Sequence, residues 1–133
     1  MKKVITLVAA IMLLVTSTLA LAGCGGTKTL EEYVNSDSDV QQELSDLESS
    51  LGNGGSITVK ENNIELIYKY DQTFDEATAT AMKPQLEQAM NSMEFQFQGM
   101  IDDLKEDSGI DDVSMTIVYQ DANGTELYSN TYQ

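Results

Sequence analysis

The sequence predicts an α+β fold: a four-stranded antiparallel sheet of two hairpins packed on one long helix, with short N-terminal helices, in the order α-α-β-β-α-β-β. Three observations lead there. Two pairs of alternating apolar and polar runs, 56–60 with 64–70 and 113–120 with 125–132, are each joined by turn-forming residues. Between the pairs, 75–107 repeats apolar residues at helical spacing. Ahead of the first pair lie a capped turn and a short amphipathic stretch.

Thr29-Leu30-Glu31-Glu32 reads as a cap followed by a first helical turn, its acids near the positive end of the helix dipole. Over 38–51, Val40, Leu44, Leu47 and Leu51 recur at intervals of four, three and four, which is the stripe of an amphipathic helix. Tyr33 and Val34 on the preceding turn are placed to pack with that stripe. Gly52-Asn53-Gly54-Gly55 ends it. Although glycine-rich, this loop follows a helix instead of opening one and has no Lys-Ser or Lys-Thr, so it is a linker and not a phosphate cradle.

The first hairpin is expected to turn at Asn62-Asn63, residues that tolerate positive φ. A two-residue loop there pairs Val59 with Leu66 and Ile57 with Tyr68 on one face and sets Lys60 opposite Glu65 on the other. The long helix carries Met82, Leu86, Ala89, Met90, Met93, Phe97, Met100, Ile101 and Leu104. Pro84 lacks an amide donor and clashes with the carbonyl four residues earlier, so a kink or fresh start is expected close to it. Gly109 terminates the segment.

The second hairpin turns at Asp121-Ala122-Asn123-Gly124, and two registers compete. A two-residue Asn123-Gly124 loop sets Asp121 opposite Glu126 and puts Tyr128 and Tyr132 inside. A type I turn with a Gly bulge avoids that repulsion, puts Leu127 inside and turns both tyrosines outward. The second is favoured. Ile67, Val118, Tyr128 and Tyr132 would then face outward together as an apolar patch suited to a partner, while Tyr68, Tyr70 and Tyr119 lie on the inner face with hydroxyls at the rim.

Charge divides the chain. Lys2 and Lys3 precede an apolar run from 4 to 22, and every acidic residue lies after position 30. Positive residues, an apolar stretch and then Leu21-Ala22-Gly23-Cys24 have the layout of an export signal, and the last four resemble a bacterial lipobox. That resemblance implies recognition of Leu21, Ala22 and Gly23 by a signal peptidase, lipid attachment at the Cys24 thiol, and cleavage ahead of it. The expected organisation is therefore a lipoprotein signal peptide at 1–23, a lipidated tether at 24–28 and a single α+β domain at 29–133. Two acyl chains give stable anchoring where one would not, and the apolar stretch is short for a membrane span. A tether of about five residues reaches under about 20 Å, so the domain would sit close to the outer face of the cell membrane.

Without the first 23 residues, 5 Lys stand against 22 acids, a net charge of −17. Binding phosphate backbones needs clustered cations, so no nucleic acid partner is expected, and a protein or cell-wall partner should be basic. The chain has no His and one Cys, which removes imidazole bases, nitrogen-ligated zinc and internal disulfides. Serine nucleophiles lack a His partner, and neither a G-x-S-x-G turn nor an S-x-x-K motif occurs.

Acids are the most numerous candidates for chemistry. Asp37 and Asp39, the run Asp102, Asp103, Glu106, Asp107, Asp111 and Asp112, and Asp121 with Glu126 could in principle supply a glycosidic acid–base pair or calcium ligands. The run ending at Asp112 lacks EF-hand spacing and reads as solvated surface; Asp121 reads as a turn cap. Met82, Met90, Met93, Met100 and Met115 share helical or strand spacing with core residues, so packing is preferred over a soft metal site. No catalytic residue, metal ligand or cofactor is assigned.

Thr29-Leu30-Glu31-Glu32-Tyr33-Val34-Asn35-Ser36, Tyr68-Lys69-Tyr70, Met82-Lys83-Pro84-Gln85-Leu86-Glu87 and the Asp121-Ala122-Asn123-Gly124 hairpin together resemble small uncharacterised lipoproteins of anaerobic Gram-positive bacteria, a Firmicutes-type domain of unknown function. The resemblance spans nearly all of the chain after Cys24. It implies attachment to the outer face of the membrane and supplies no activity. The functional expectation is a non-enzymatic binding or interaction module of the cell envelope, with a carboxylate-based hydrolase of envelope glycans and a calcium-dependent adhesion module as alternatives.

Overall fold

The computed structural model describes residues 28–133. Its elements follow in the order α1 (Leu30–Ser36), α2 (Ser38–Ser50), β1 (Gly55–Lys60), β2 (Asn63–Lys69), α3 (Glu76–Asn91), α4 (Glu94–Ser108), β3 (Ser114–Gln120) and β4 (Glu126–Tyr132). The class is α+β as expected, but the sheet is mixed and the helical segment is two helices.

Thr29 opens α1 with a capping box: its Oγ1 accepts from the Glu32 amide at 3.2 Å while its own amide donates to Glu32 Oε2 at 3.2 Å. Asp37 closes α1 and starts α2, its Oδ1 accepting from the amides of Asp39 at 2.9 Å and Val40 at 3.3 Å. The α2 stripe of Val40, Leu44 and Leu47 is only half-buried, and no residue of that helix is fully buried. At Gly55, a Cβ would collide with the Leu51 side chain, so only glycine lets β1 start this close to the end of α2.

The sheet order is β1-β2-β3-β4. Both hairpins are antiparallel as expected, but β2 and β3 run parallel, with Asn63 opposite Ser114 and Lys69 opposite Gln120. This corrects the all-antiparallel sheet. A parallel pair needs a long crossover, and 70–113 supplies it.

Within the crossover, the expected single helix is corrected to α3 and α4, which part at Ser92 and Met93. A straight helix over 75–107 would be about 50 Å long, about twice the length of a seven-residue strand. The chain breaks it so that both halves bury their stripes. Pro84 lies inside α3, and the break falls eight residues later. There Ser92 Oγ donates to the Ala89 carbonyl at 2.7 Å, and the Met93 carbonyl accepts from the amides of Gln96 and Phe97 at 2.9 and 3.1 Å. Gly109 ends α4 in the left-handed region, at φ 71°.

The first hairpin turns at Glu61-Asn62, one residue earlier than expected, and pairs Val59 with Ile64, Ile57 with Leu66 and Lys60 with Asn63. Each β1 residue meets a β2 residue two places earlier than expected, which preserves the inward faces but takes Lys60 away from Glu65. The cause is the docking of this turn on α1: the Leu30 amide donates to Asn62 Oδ1 at 2.9 Å and Glu31 bonds Glu61.

The second hairpin has the favoured turn. The Gly124 amide donates to the Asp121 carbonyl at 3.0 Å, with Gly124 at φ 85°, and the Asp121 amide donates to the Thr125 carbonyl at 2.9 Å. Leu127 is inside, as that register requires. The tyrosines are not outside: Gln120 pairs with Glu126 but Tyr119 pairs with Tyr128, so Leu127 is an extra residue and the alternation reverses beyond it. Tyr128 thus returns to the helix-covered face, and Tyr132 is 4% exposed with its ring 5.0 Å from that of Phe97.

The core lies between one face of the sheet and the helices. Ile64, Leu66, Met115, Ile117 and Tyr119 face Leu30, Met90, Phe97, Met100 and Ile101 in one cluster, each fully buried side chain contributing about 1.5–3 kcal/mol. The first two helices contact β1, α3 contacts β4, and α4 contacts β3 and β4. On the opposite face Asn63 Oδ1 accepts from Ser114 Oγ and Thr116 Oγ1, both at 3.0 Å, and Thr116 meets Thr131 at 2.9 Å. That face is predominantly polar.

Candidate functional site

A groove of about 240 Å³ opens where α1 and α2 lean on β1. Its floor is Val34, Leu44, Ile57 and Val59, and Glu31, Glu48, Asn35 and Gln41 stand around it. Local chemistry sets these positions. The Asp37 junction turns α2 back over β1, and Gln41 Nε2 donates to the Asn35 carbonyl at 3.0 Å, tying the two helices together. The Leu44 side of α2 then faces the Ile57 and Val59 side of β1.

Beyond the groove, β1 has no strand neighbour on its outer side among the described residues. The Lys69 amide donates to the Gly54 carbonyl at 2.6 Å, so residues 54, 56, 58 and 60 direct their backbone groups at β2. Ile57 and Val59 alternate with these. Their N–H and C=O groups therefore point away from the sheet, next to the groove that their side chains floor. The arrangement can receive an extended chain by backbone pairing while long side chains enter an apolar slot with acids at its rim.

A second cluster gathers where the parallel strands end. The Tyr68 and Tyr70 rings lie 5.3 Å apart, Tyr68 and Tyr119 5.6 Å, Tyr70 and Phe74 5.5 Å, and Tyr119 and Tyr128 6.5 Å. These are the edge-to-face and tilted spacings of packed aromatic rings. Burial pushes the phenols of Tyr70 and Tyr119 up and that of Tyr128 up to about 12. All three stay protonated at neutral pH, which suits packing and does not suit a base or nucleophile.

The expected outward patch does not form. Ile67 and Val118 are neighbours on the polar face, Val118 only 7% exposed, whereas Tyr128 is half-buried under the helices and Tyr132 is in the core. A continuous apolar surface of all four residues is therefore replaced by Ile67 and Val118 alone. Leu21, Ala22, Gly23 and Cys24 lie outside the described residues, as do the expected signal peptide at 1–23 and all but residue 28 of the expected tether.

The Asp102 to Asp112 acids are all exposed. Among the described residues no three His, Cys, Asp or Glu side chains gather as a group that could hold a metal ion. Asp121 is a turn cap: its Oδ1 accepts from the amides of Asn123 at 2.8 Å and Thr125 at 2.9 Å, and these bonds, that of Thr125 foremost, hold its carboxyl below the usual carboxylate range. Of the two acids on the groove, Glu31 already holds the first hairpin turn through its Oε2. No helix of the described residues is long and apolar enough to cross a membrane.

Glu31, Asn35, Gln41 and Glu48 carry no motif, and nothing in the sequence singles them out as a site. Their only signal is position: Glu31 and Asn35 flank the buried Leu30 and Val34 of α1, and Gln41 and Glu48 flank the half-buried stripe of α2. Where the helices cross β1 is a property of the fold.

No curated protein and no solved structure matches the chain. One family model covers residues 30–132, from the first helical residue to the last residue of β4. The chain, with its helix pair, mixed sheet and edge-strand groove, belongs to the family described as a domain of unknown function (DUF4854).

Proposed function

We propose that this protein is a lipid-anchored module on the outer face of the cell membrane that binds a partner and carries out no chemistry of its own. The observation that carries this reading is Cys24. The only cysteine of the chain follows Leu21-Ala22-Gly23 at the end of an apolar run, five residues before the Thr29 cap of the folded domain. Thiol acylation requires a cysteine, and the chain retains one at the place where such a signal needs it.

Two features of the domain support a binding role. The groove beside β1 has backbone groups without a strand partner among the described residues, and an acidic rim. The net charge of −17 on the part after residue 23 favours a basic partner and opposes nucleic acid.

The test is metabolic labelling with an alkyne fatty acid in a Gram-positive host, combined with mass spectrometry of the mature amino terminus. Label on the natural chain, a mature start at Cys24, and release of the Cys24→Ser variant from the membrane fraction are expected. A free Cys24 thiol with the leader still attached would overturn the reading.

A further inference from the structure

We propose that the β1 edge and its groove form a strand-addition site for an extended, basic segment of a partner protein, one with Lys or Arg at alternate positions. The proposal deepens the binding reading above, on which it rests, by naming the chemistry of the partner.

The two edges of the sheet are guarded differently. The β4 edge is interrupted by the extra residue at Leu127, a device that spoils pairing with a further strand. The β1 edge, Gly55-Ser56-Ile57-Thr58-Val59-Lys60, has three β-branched residues in a row, no proline, no bulge and no inward-pointing charge. Its pairing groups at Ile57 and Val59 are directed outward, while the Gly55 amide is already taken by the Gly52 carbonyl at 3.1 Å. An incoming antiparallel strand would donate to the carbonyls of Ile57 and Val59 and accept from their amides, four bonds in all.

The groove decides which side chains such a strand carries. Alternate residues of the added strand would fall on the same face as Ile57 and Val59, under α2. The floor of Val34, Leu44, Ile57 and Val59 accepts methylene stems, and Glu48 at the rim, with the Glu31 carboxylate that also holds the Glu61 amide, receives a cationic head. A short apolar side chain would leave the acids unmatched, and an acidic one would be repelled. A second copy of this chain is disfavoured as occupant, since it would bring another net charge of −15 to the acidic rim.

The test uses the full chain purified in detergent and three fluorescein-labelled nonapeptides, read by anisotropy at about 150 mM salt, where long-range attraction between exposed charges is screened. One alternates Lys and Thr; the second has the same composition with its lysines grouped; the third is the alternating peptide with its backbone amides methylated. The grouped peptide controls for attraction of any polycation to an acidic protein. The alternating peptide should bind about tenfold or more tighter than either control, and amide exchange should slow at Ile57 and Val59. Glu48→Lys should weaken it, as should Val59→Pro, which removes an edge donor without breaking a bond to β2.

Equal affinity for the alternating and grouped peptides, or no loss on amide methylation, would overturn the proposal. The methylated peptide decides the matter even where Val59→Pro fails to fold. Fatty-acid labelling separates this outcome from failure of the anchoring reading: labelled protein that ignores peptide order loses only the strand-addition site, and unlabelled protein that selects the alternating peptide loses only the anchor.

Discussion

Glu31 and Glu61 hold each other through two bonds of 2.8 Å: the Glu31 amide donates to the Glu61 carbonyl, and the Glu61 amide donates to Glu31 Oε2. This exchange joins the first turn of α1 to the first hairpin, 30 residues away in sequence. It satisfies one otherwise free amide at the start of the helix and holds α1 against the end of β1. Glu31→Ala should lower unfolding free energy by about 1 kcal/mol, whereas Glu31→Gln, which keeps an acceptor, should cost less than about half of that. Urea unfolding midpoints check the difference.

Glu61 is the only non-glycine residue with positive φ among the described residues, at 53°. A Cβ in that region costs about 1–2 kcal/mol relative to ordinary helical backbone, and Asn tolerates it better than Glu. Because both bonds to Glu31 use the Glu61 backbone, Glu61→Asn should preserve them and stabilise the fold by about 0.5 kcal/mol. A fall in melting temperature would contradict this account of the turn.

Acid should weaken the fold through Asp75 and Asp121. Thr78 holds the Asp75 carboxyl below its usual range by hydrogen bonds from its side chain and amide, and Thr125 and Asn123 do so for Asp121. A depressed folded-state pKa gives a stabilisation that is fully present above the unfolded value of about 4 and is lost as pH falls through the folded value. Melting temperature should therefore drop below about pH 4, and the drop should be shallower in Asp75→Asn and Asp121→Asn.

The Tyr132 hydroxyl is buried near that of Tyr128 without closing a hydrogen bond of ordinary length among the described residues, while its ring packs on Phe97. Tyr132→Phe should thus be neutral or stabilising by up to about 1 kcal/mol, because it removes an unsatisfied polar group. Tyr132→Ala should cost about 3–5 kcal/mol. A Tyr132→Ala variant would consequently report on folding, not on a binding surface, and chemical denaturation of both variants checks the contrast.

Phe95, on the first turn of α4, is 89% exposed. It adds nothing to the core, so Phe95→Gln should change unfolding free energy by less than about 0.5 kcal/mol. Thermal melts of the two proteins should nearly superimpose.

Features that depend on neighbours along the chain are legible from residue order alone. The Thr29 capping box, the α2 stripe, the Gly109 stop and the Asp121 turn are settled by side chains within a few residues of one another, and the class follows from the order of such parts. Leu127 is marked as an inside residue on the same grounds. Which strands became neighbours, where 75–107 broke and which way the β4 tyrosines faced were settled instead by packing between distant segments. Period-two and period-3.6 patterns state that a face is apolar, and they are silent about which other face covers it. Pro84, where a kink or fresh start is expected, lies inside α3; Asn91-Ser92 are weak helix formers and are the local hint of the break where it falls, but the stripe of Met90, Met93 and Phe97 continues across them. At Leu127 a single inserted residue reverses the alternation because burying Leu127 and Tyr132 together outweighs regular pairing. The groove beside β1 arises in the same way, from a helix crossing a strand that no local rule could have placed beneath it.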